Sequence, residues 1–282
     1  MYNVVFESEN GEKYAFGSAG NTVFDMDFGN GMPVDIGTSQ GFSQIGETVE
    51  SQSVSGRTIN VKGVVFGDVQ DRKKRMRKVF SPFSSGRIIF DGKYCTKVWV
   101  KNAPSFSPVK DNGKFSMQLF APFPFFYSVE ETVVVFGEIR PLFKFPVNYS
   151  ETHKFGEIKS EKIKSVFNNG DVSIPLKLRI VSNAHNTNVT ISNMETFEFL
   201  RLNGSLQAGD EINIYRDENN VFRVELTSSG ETTDAIGMVS EESTLFEIKT
   251  GENIMGVNSD EGGDDLFVSV MFNPAVVALY ED

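Results

Sequence analysis

The stretch SIPLKLRI, residues 173–180, sets Ile174, Leu176, Leu178 and Ile180 against Ser173, Pro175, Lys177 and Arg179. Successive side chains of a strand point to opposite faces, so this period-two alternation predicts a half-buried strand. The same pattern places Ile59, Val61 and Val65 on one face of a second segment, and Phe115, Met117 and Leu119 on one face of a third. Further alternating runs fall at 210–216, 221–227, 244–249 and 265–272. Many short strands at such spacing predict a mainly β protein of the sandwich or barrel kind. Asn10–Gly11, between MYNVVFES and EKYAFG, predicts a tight hairpin at the start.

Two segments break the alternation. Over residues 68–80, Asp68 is placed to cap a helix, and Val69, Arg72, Met76, Val79 and Phe80 recur at helical spacing before Ser81–Pro82 stops it. Within it, RKKRMRK (72–78) has six basic residues in seven. The expectation is a solvated basic face with Met76 turned inward, in preference to a nucleic-acid patch. Residues 17–56 are rich in Gly, Ser, Thr and Gln, with Phe24, Phe28, Ile36, Phe42 and Ile45 scattered along them and only weak alternation. That length is too great for an ordinary connection. Its spaced apolar residues predict an extended arm that packs on something, the candidate partner being a neighbouring subunit.

The 282 residues suffice for two domains, each with its own core. Residues 1–140 carry 16 Lys+Arg against 15 Asp+Glu, and residues 141–282 carry 11 against 23, so almost the whole net charge of −11 sits in the second half. With the aromatic, Pro-punctuated APFPFFYS at 121–128, this asymmetry places a domain boundary near 135, giving domains 1–135 and 136–282. An acidic chain is a poor general ligand for phosphate backbones, so no nucleic-acid recognition is expected. No apolar run approaches the ~18 residues of a spanning helix, so no membrane insertion is expected either.

Groups for chemistry are sparse. The two histidines, His153 and His185, lie in polar surroundings without partners at metal-ligand spacing. The one cysteine, Cys95, lies in the strand-like KYCTKVWV and cannot form an intrachain disulfide. No phosphate-binding glycine loop and no G-x-S-x-G elbow occurs. The acidic run NSDEGGDD (258–265) lacks the ligand order of a calcium loop, and an exposed acidic hairpin tip is expected there. Neither catalytic, cofactor-binding nor metal-binding residues are assigned, and no enzyme is expected. A carbohydrate-binding β-sandwich is the alternative; it would need an exposed ring beside polar groups, as near Tyr215 and Arg216, because the only tryptophan, Trp99, lies in the first half.

The order of RTINVKGVVFGDVQDRKKRMRKVF, GRIIFDGKY and GKFSMQLFAPFPFF resembles the N-terminal domain of siphophage distal tail proteins. FNNGDVSIPLKLRI, NVTISNMETFEFLRL, LQAGDEINIY and STLFEIKTGENIMGV look like strands of that family's C-terminal domain. The resemblance implies a β-barrel-like first domain with one α-helix and a long arm (the belt), and a galectin-like β-sandwich. It also implies a homohexameric ring at the virion's tail tip, assembled in the host cytoplasm. Its expected partners are the tail tube protein, the tail-tip protein and a receptor-binding protein. Residues 17–56 match the belt in position and character, with Phe24, Phe28, Ile36, Phe42 and Ile45 as the candidate inter-subunit contacts.

Overall fold

The computed structural model describes residues 3–27, 32, 34–109, 112–141, 156–159, 162–217 and 220–279. The chain divides into two units, Met1–Glu130 with Ala275–Asp282, and Glu131–Pro274. The sequence reading put the division near 135 and gave the C-terminus to the second domain; here residues 275–282 group with the first.

In unit 1 the strands are β1 (Val4–Ser8), β2 (Lys13–Ala15), β3 (Thr22–Met26), β4 (Val34–Ser39), β5 (Thr48–Val54) and β6 (Arg57–Val65). Helix α1 (Val69–Val79) follows, then β7 (Ser85–Phe90), β8 (Tyr94–Phe106), β9 (Lys114–Ala121) and β10 (Phe126–Ser128). The main sheet runs β2-β1-β7-β8-β9-β6-β3. Its end strands β2 and β3 do not pair as a ladder; a single bridge, Gly17↔Thr22, joins the turn after β2 to the start of β3. The sheet is therefore barrel-like without being a closed barrel. The β1–β2 turn is the expected hairpin, with Gly11 at φ +80° and its N–H donated to the Ser8 carbonyl at 2.9 Å.

Asp68 caps α1, its carboxylate accepting from the Asp71 N–H at 3.3 Å. Met76, Val79 and Phe80 are buried against an aromatic cluster in which the Phe6 and Phe80 rings lie 4.5 Å apart and Phe16 lies 5.8 Å from Phe80. The basic face of α1 is not simply solvated, which corrects the sequence reading. Lys73 is buried with its ammonium 5.6 Å from the Phe106 ring centre, and the Arg77 guanidinium lies 5.1 Å from the same ring. Arg72 donates to the Gly20 carbonyl, Arg75 to the Lys13 carbonyl, and Lys78 pairs with Glu12. The charges thus fasten the helix to β2 and the turn after it.

Unit 2 contains β11 (Thr132–Phe136), β12 (Glu138–Pro141), β13 (Gly156–Lys159), β14 (Ile163–Asn168), β15 (Ile174–Pro175), β16 (Lys177–Ser182) and β17 (Asn186–Asn193). They are followed by β18 (Phe199–Leu206), β19 (Glu211–Arg216), β20 (Phe222–Ser228), β21 (Glu231–Asp234), β22 (Glu247–Ile248), β23 (Gly251–Asn258) and β24 (Leu266–Phe272). A six-stranded antiparallel sheet, β11-β24-β16-β19-β20-β21, and a four-stranded one, β14-β23-β17-β18, share one hydrophobic core. This is a β-sandwich. SIPLKLRI becomes β15 and β16, broken after Pro175, and its four apolar side chains all point into the core. Buried asparagines close the connections. Asn253, for example, donates to the Lys249 carbonyl at 2.8 Å and accepts from the Lys249 N–H at 2.9 Å.

The last strand, β25 (Ala275–Val276), pairs with β10 of unit 1, matching Phe126 with Val276 and Tyr127 with Ala275. Arg57, 7% exposed, donates to the Val277 carbonyl at 2.8 Å and lies 4.9 Å from the Phe126 ring centre. Leu279 is buried in the same core. Ending the chain at Pro274 is expected to destabilise unit 1 by about 3 kcal/mol, from the lost Leu279 burial and the lost bond from Arg57 to the Val277 carbonyl. Unit 2 (131–274) is expected to keep its own cooperative transition. Denaturant unfolding, followed separately by the Trp99 emission of unit 1 and by the far-ultraviolet signal of excised 131–274, checks both. A truncated unit 1 as stable as the full chain would refute the first.

Candidate functional site

Within 17–56, residues up to Met26 belong to the body of unit 1. Phe24 lies on β3, half-buried, with its ring 5.4 Å from that of Phe16, so it supports the core more than it reaches outward. Phe28 lies outside the described residues. Ile36, Phe42 and Ile45 are exposed, the last two completely.

These three sit on a two-stranded antiparallel hairpin made by β4 and β5, which is a separate sheet. Its register pairs Val34 with Val54, Ile36 with Gln52 and Gly37 with Ser51, then shifts so that Thr38 pairs with Val49. Glu50 is the extra residue of this bulge. Directly paired residues share a face, so Val34, Ile36, Val49 and Val54 form an aliphatic stripe on one side, while Asp35, Ser51 and Ser53 occupy the other. The turn is held by its own side chains. The Gly41 N–H donates to Gln44 Oε1 at 2.9 Å, and Gln44 Nε2 donates to Thr48 Oγ1 at 3.0 Å. Ser43 and Gly46 take positive φ, 62° and 87°, which turns Phe42 and Ile45 outward at the tip. Every residue from Val34 to Ser55 is exposed.

An isolated two-stranded hairpin is marginal in water, and a contiguous apolar surface on a soluble chain marks a contact site. Asp35, Glu47 and Glu50 are the only charged residues between Val34 and Val54, so the arm carries three negative charges and no positive ones.

The groups considered for chemistry do not converge. His153 lies outside the described residues. His185 is exposed, with Nδ1 3.1 Å from Gln207 Nε2. The Cys95 thiol sits on β8 between Ile89 and Tyr127, and burial pushes its pKa up, away from the thiolate a nucleophile needs. Tyr215 donates its hydroxyl to Glu225 at 2.9 Å, and Arg216 donates to the Asn220 carbonyl at 3.1 Å. Among the described residues no three His, Cys, Asp or Glu side chains gather as a metal site.

The acidic run at 258–265 is not a hairpin tip. It connects β23 in one sheet to β24 in the other. Its Asp260 accepts from Asn188 at 2.9 Å and from Arg201 at 2.6 Å; these bonds, with the Arg201 charge, hold it below the ordinary carboxylate range. Gly262 and Gly263 have φ of 83° and 90°, and a Cβ on Gly262 would lie 2.4 Å from Asn186 Oδ1. The loop is shaped to cross the sandwich.

Residues 169–275, nearly all within unit 2, match the family model described as siphovirus-type tail component, C-terminal domain. By that match residues 169–275 are the C-terminal domain of a siphovirus-type tail component, and the chain is similar to the distal tail, or baseplate hub, proteins of such tails. The whole chain is similar in fold to the crystal structure of the Dit protein (gp 19.1) of phage SPP1, described as a paradigm of the hub adsorption apparatus in phages that infect Gram-positive hosts. That match has a TM-score of 0.66 at 10% identity and covers 97% of this chain and 99% of that one. Two structures of the phage P2 baseplate in its activated conformation, one with calcium and one with strontium, give TM-scores of 0.48 and 0.44 at 12% and 11% identity. Each covers 96% of this chain and 98% of the other. No curated protein matches the sequence.

Because Phe42 and Ile45 touch nothing in their own chain, replacing both by Ser is expected to leave the unfolding midpoint within about 1 °C of wild type, as for exposed positions generally. A drop of several degrees in the dilute, dissociated protein would show that the tip packs on its own chain.

Proposed function

We propose that this chain is a structural, non-enzymatic hub protein of a phage tail tip, and that unit 1 builds a hexameric ring in which each copy clasps the next with its β4–β5 arm. The observation that carries this reading is the arm itself, a formed hairpin with an aliphatic stripe and an aromatic tip wholly exposed on the single chain. Such a surface is covered when a neighbour binds it. An arm that reaches from one copy to a different surface on the next makes a heterologous interface, and heterologous contacts close into rings when the rotation per copy divides a full turn. Six copies is the number the family resemblance implies.

The ring would lie between the tail tube and the tail-tip protein, with the acidic sandwich outside it as a docking platform for further tail components, including a receptor-binding protein. The domain match over 169–275 and the fold shared with SPP1 Dit support this placement. Full burial of an aromatic or large aliphatic side chain contributes roughly 1.5–3 kcal/mol, so Phe42, Ile45 and Ile36 together supply several kcal/mol per interface.

Deleting Ile36 to Glu50 is expected to abolish the ring while leaving the sandwich folded. Mass photometry or negative-stain imaging of the full-length protein beside the deletion variant is the check. Hexamers from the deleted chain would remove the arm from its assigned role.

A further inference from the structure

The turn between β17 and β18 holds a residue that its backbone does not favour. Buried Asn193 builds the turn. Its Oδ1 accepts from the N–H groups of Glu195 at 2.9 Å and Thr196 at 3.2 Å, and its own N–H donates to the Glu198 carbonyl at 2.8 Å. The turn ends on Phe197 at φ 60°, in the left-handed region where glycine is at ease and a bulky side chain is strained. Phe197 is 85% exposed, so its ring gains little packing to offset that strain. A residue that breaks a local rule without a compensating contact in its own chain points to a contact with something else.

Phe197 borders an apolar face, lying in the chain between Met194 and Phe199. The register aligns Ile163, Gly256, Ser192 and Phe199 across β14, β23, β17 and β18. Beyond this row Ser165 pairs with Ile254, and Phe167 with Glu252. The alternate residues, among them Val166, Met255, Ile191 and Leu200, fill the core, so these rows face outward. Met194 lies over Gly256, where a Cβ would be 2.2 Å from the methionine Cε. Ile163, Phe167, Met194 and Ile254 are all exposed, and with Phe197 they form an apolar surface of the kind that marks a contact site.

The surroundings of this face are acidic. Glu195 is exposed in the Phe197 turn, and Glu252, beside Phe167, accepts from Ser165 Oγ at 2.7 Å. Arg201, one row beyond Phe199, is paired with Asp260, and Lys162 at the head of β14 with Asp264. Lys249 lies in the turn before β23, at the Phe167 end. Residues 141–282 carry 11 Lys+Arg against 23 Asp+Glu, so a second copy would bring a surface of the same sign. The complement is a different protein, with basic residues around an apolar centre.

We infer that the outer face of β14-β23-β17-β18, with Phe197 as its anchor, docks another tail protein whose contact surface offers an aliphatic pocket bordered by lysine or arginine. This rests on the reading of the sandwich as a docking platform, and adds the face, the anchor and the partner's chemistry. An aromatic ring held in place before contact loses little freedom on insertion, and the carboxylates orient the partner.

The test titrates the full-length chain with the tail-tip protein and the receptor-binding protein of the same phage, each purified and measured separately by biolayer interferometry. F197G is expected to weaken binding of one of them about thirtyfold. Its unfolding midpoint is expected to stay within about 1 °C of wild type or to rise, because glycine relieves the strain. E195K/E252K is expected to weaken the same complex about tenfold, by a margin that shrinks in high salt. A midpoint several degrees lower in F197G would place the ring in the packing of its own chain and overturn the anchor. Loss with F197G but not with E195K/E252K overturns the basic border of the partner. If wild type binds one protein and both variants bind it equally well, this face is overturned and the platform reading survives. If wild type binds neither, platform and face fall together. Pairing of wild-type chains that F197G abolishes would make the occupant a second copy and overturn the partner assigned here.

Discussion

The pairing of β10 with β25 is the constraint on which the rest of the chain depends. These strands are some 150 residues apart in sequence, yet they lie side by side in unit 1. Everything between them is therefore an inserted loop, and the sandwich is what that loop contains. Inside unit 2 the first and last strands repeat the device, since β11 and β24 pair from Thr132↔Phe272 to Phe136↔Val268. Closing a loop of this length costs chain entropy that grows only slowly with length, so the insertion is tolerable once both its ends are held. Arg57 is central to that holding. Its guanidinium is largely removed from water, and the Val277 carbonyl and Phe126 ring help to make its burial acceptable.

Against this closed body the β4–β5 arm has the opposite economy. Only the facing edges of its two strands pair in its ladder, and its aliphatic stripe has no cover among the described residues.

The sequence spoke most clearly where one rule acted alone. Alternation located β16, β19, β20 and β24, because each strand has one face in the core and one in water. Asp68 and Ser81–Pro82 bracketed α1 within a residue or two, since capping and proline punctuation are local. The arm was recognisable as a segment but not as a hairpin. The bulge at Glu50 shifts the alternation of β5 by one residue, and neither face of the hairpin meets a core that would impose a pattern. Lys73 was misread for a related reason. A charge run is normally solvated, and the tertiary approach of Phe106 favours an inward ammonium here. The return of residues 275–279 to unit 1 left no local trace, because strand pairing across such a distance has no period to detect. As for the candidate site, Ile36, Phe42 and Ile45 were legible as apolar residues without a core.

The arm is already a hairpin before it meets anything. A disordered tail that folds on binding must surrender its backbone freedom at the moment of contact, which subtracts from the affinity it can deliver. Here the ladder from Val34↔Val54 to Ser39↔Thr48 and the Gln44 hydrogen bonds bring part of that loss forward into the single chain, although such a hairpin alone stays marginal. In the proposed clasp, what remains on association is the freezing of a few side chains. Such a preformed lever favours fast, repeatable capture over adaptability. Its cost is an exposed sticky surface for as long as a copy stays alone, so the concentration of free chain becomes something the assembling system must keep low.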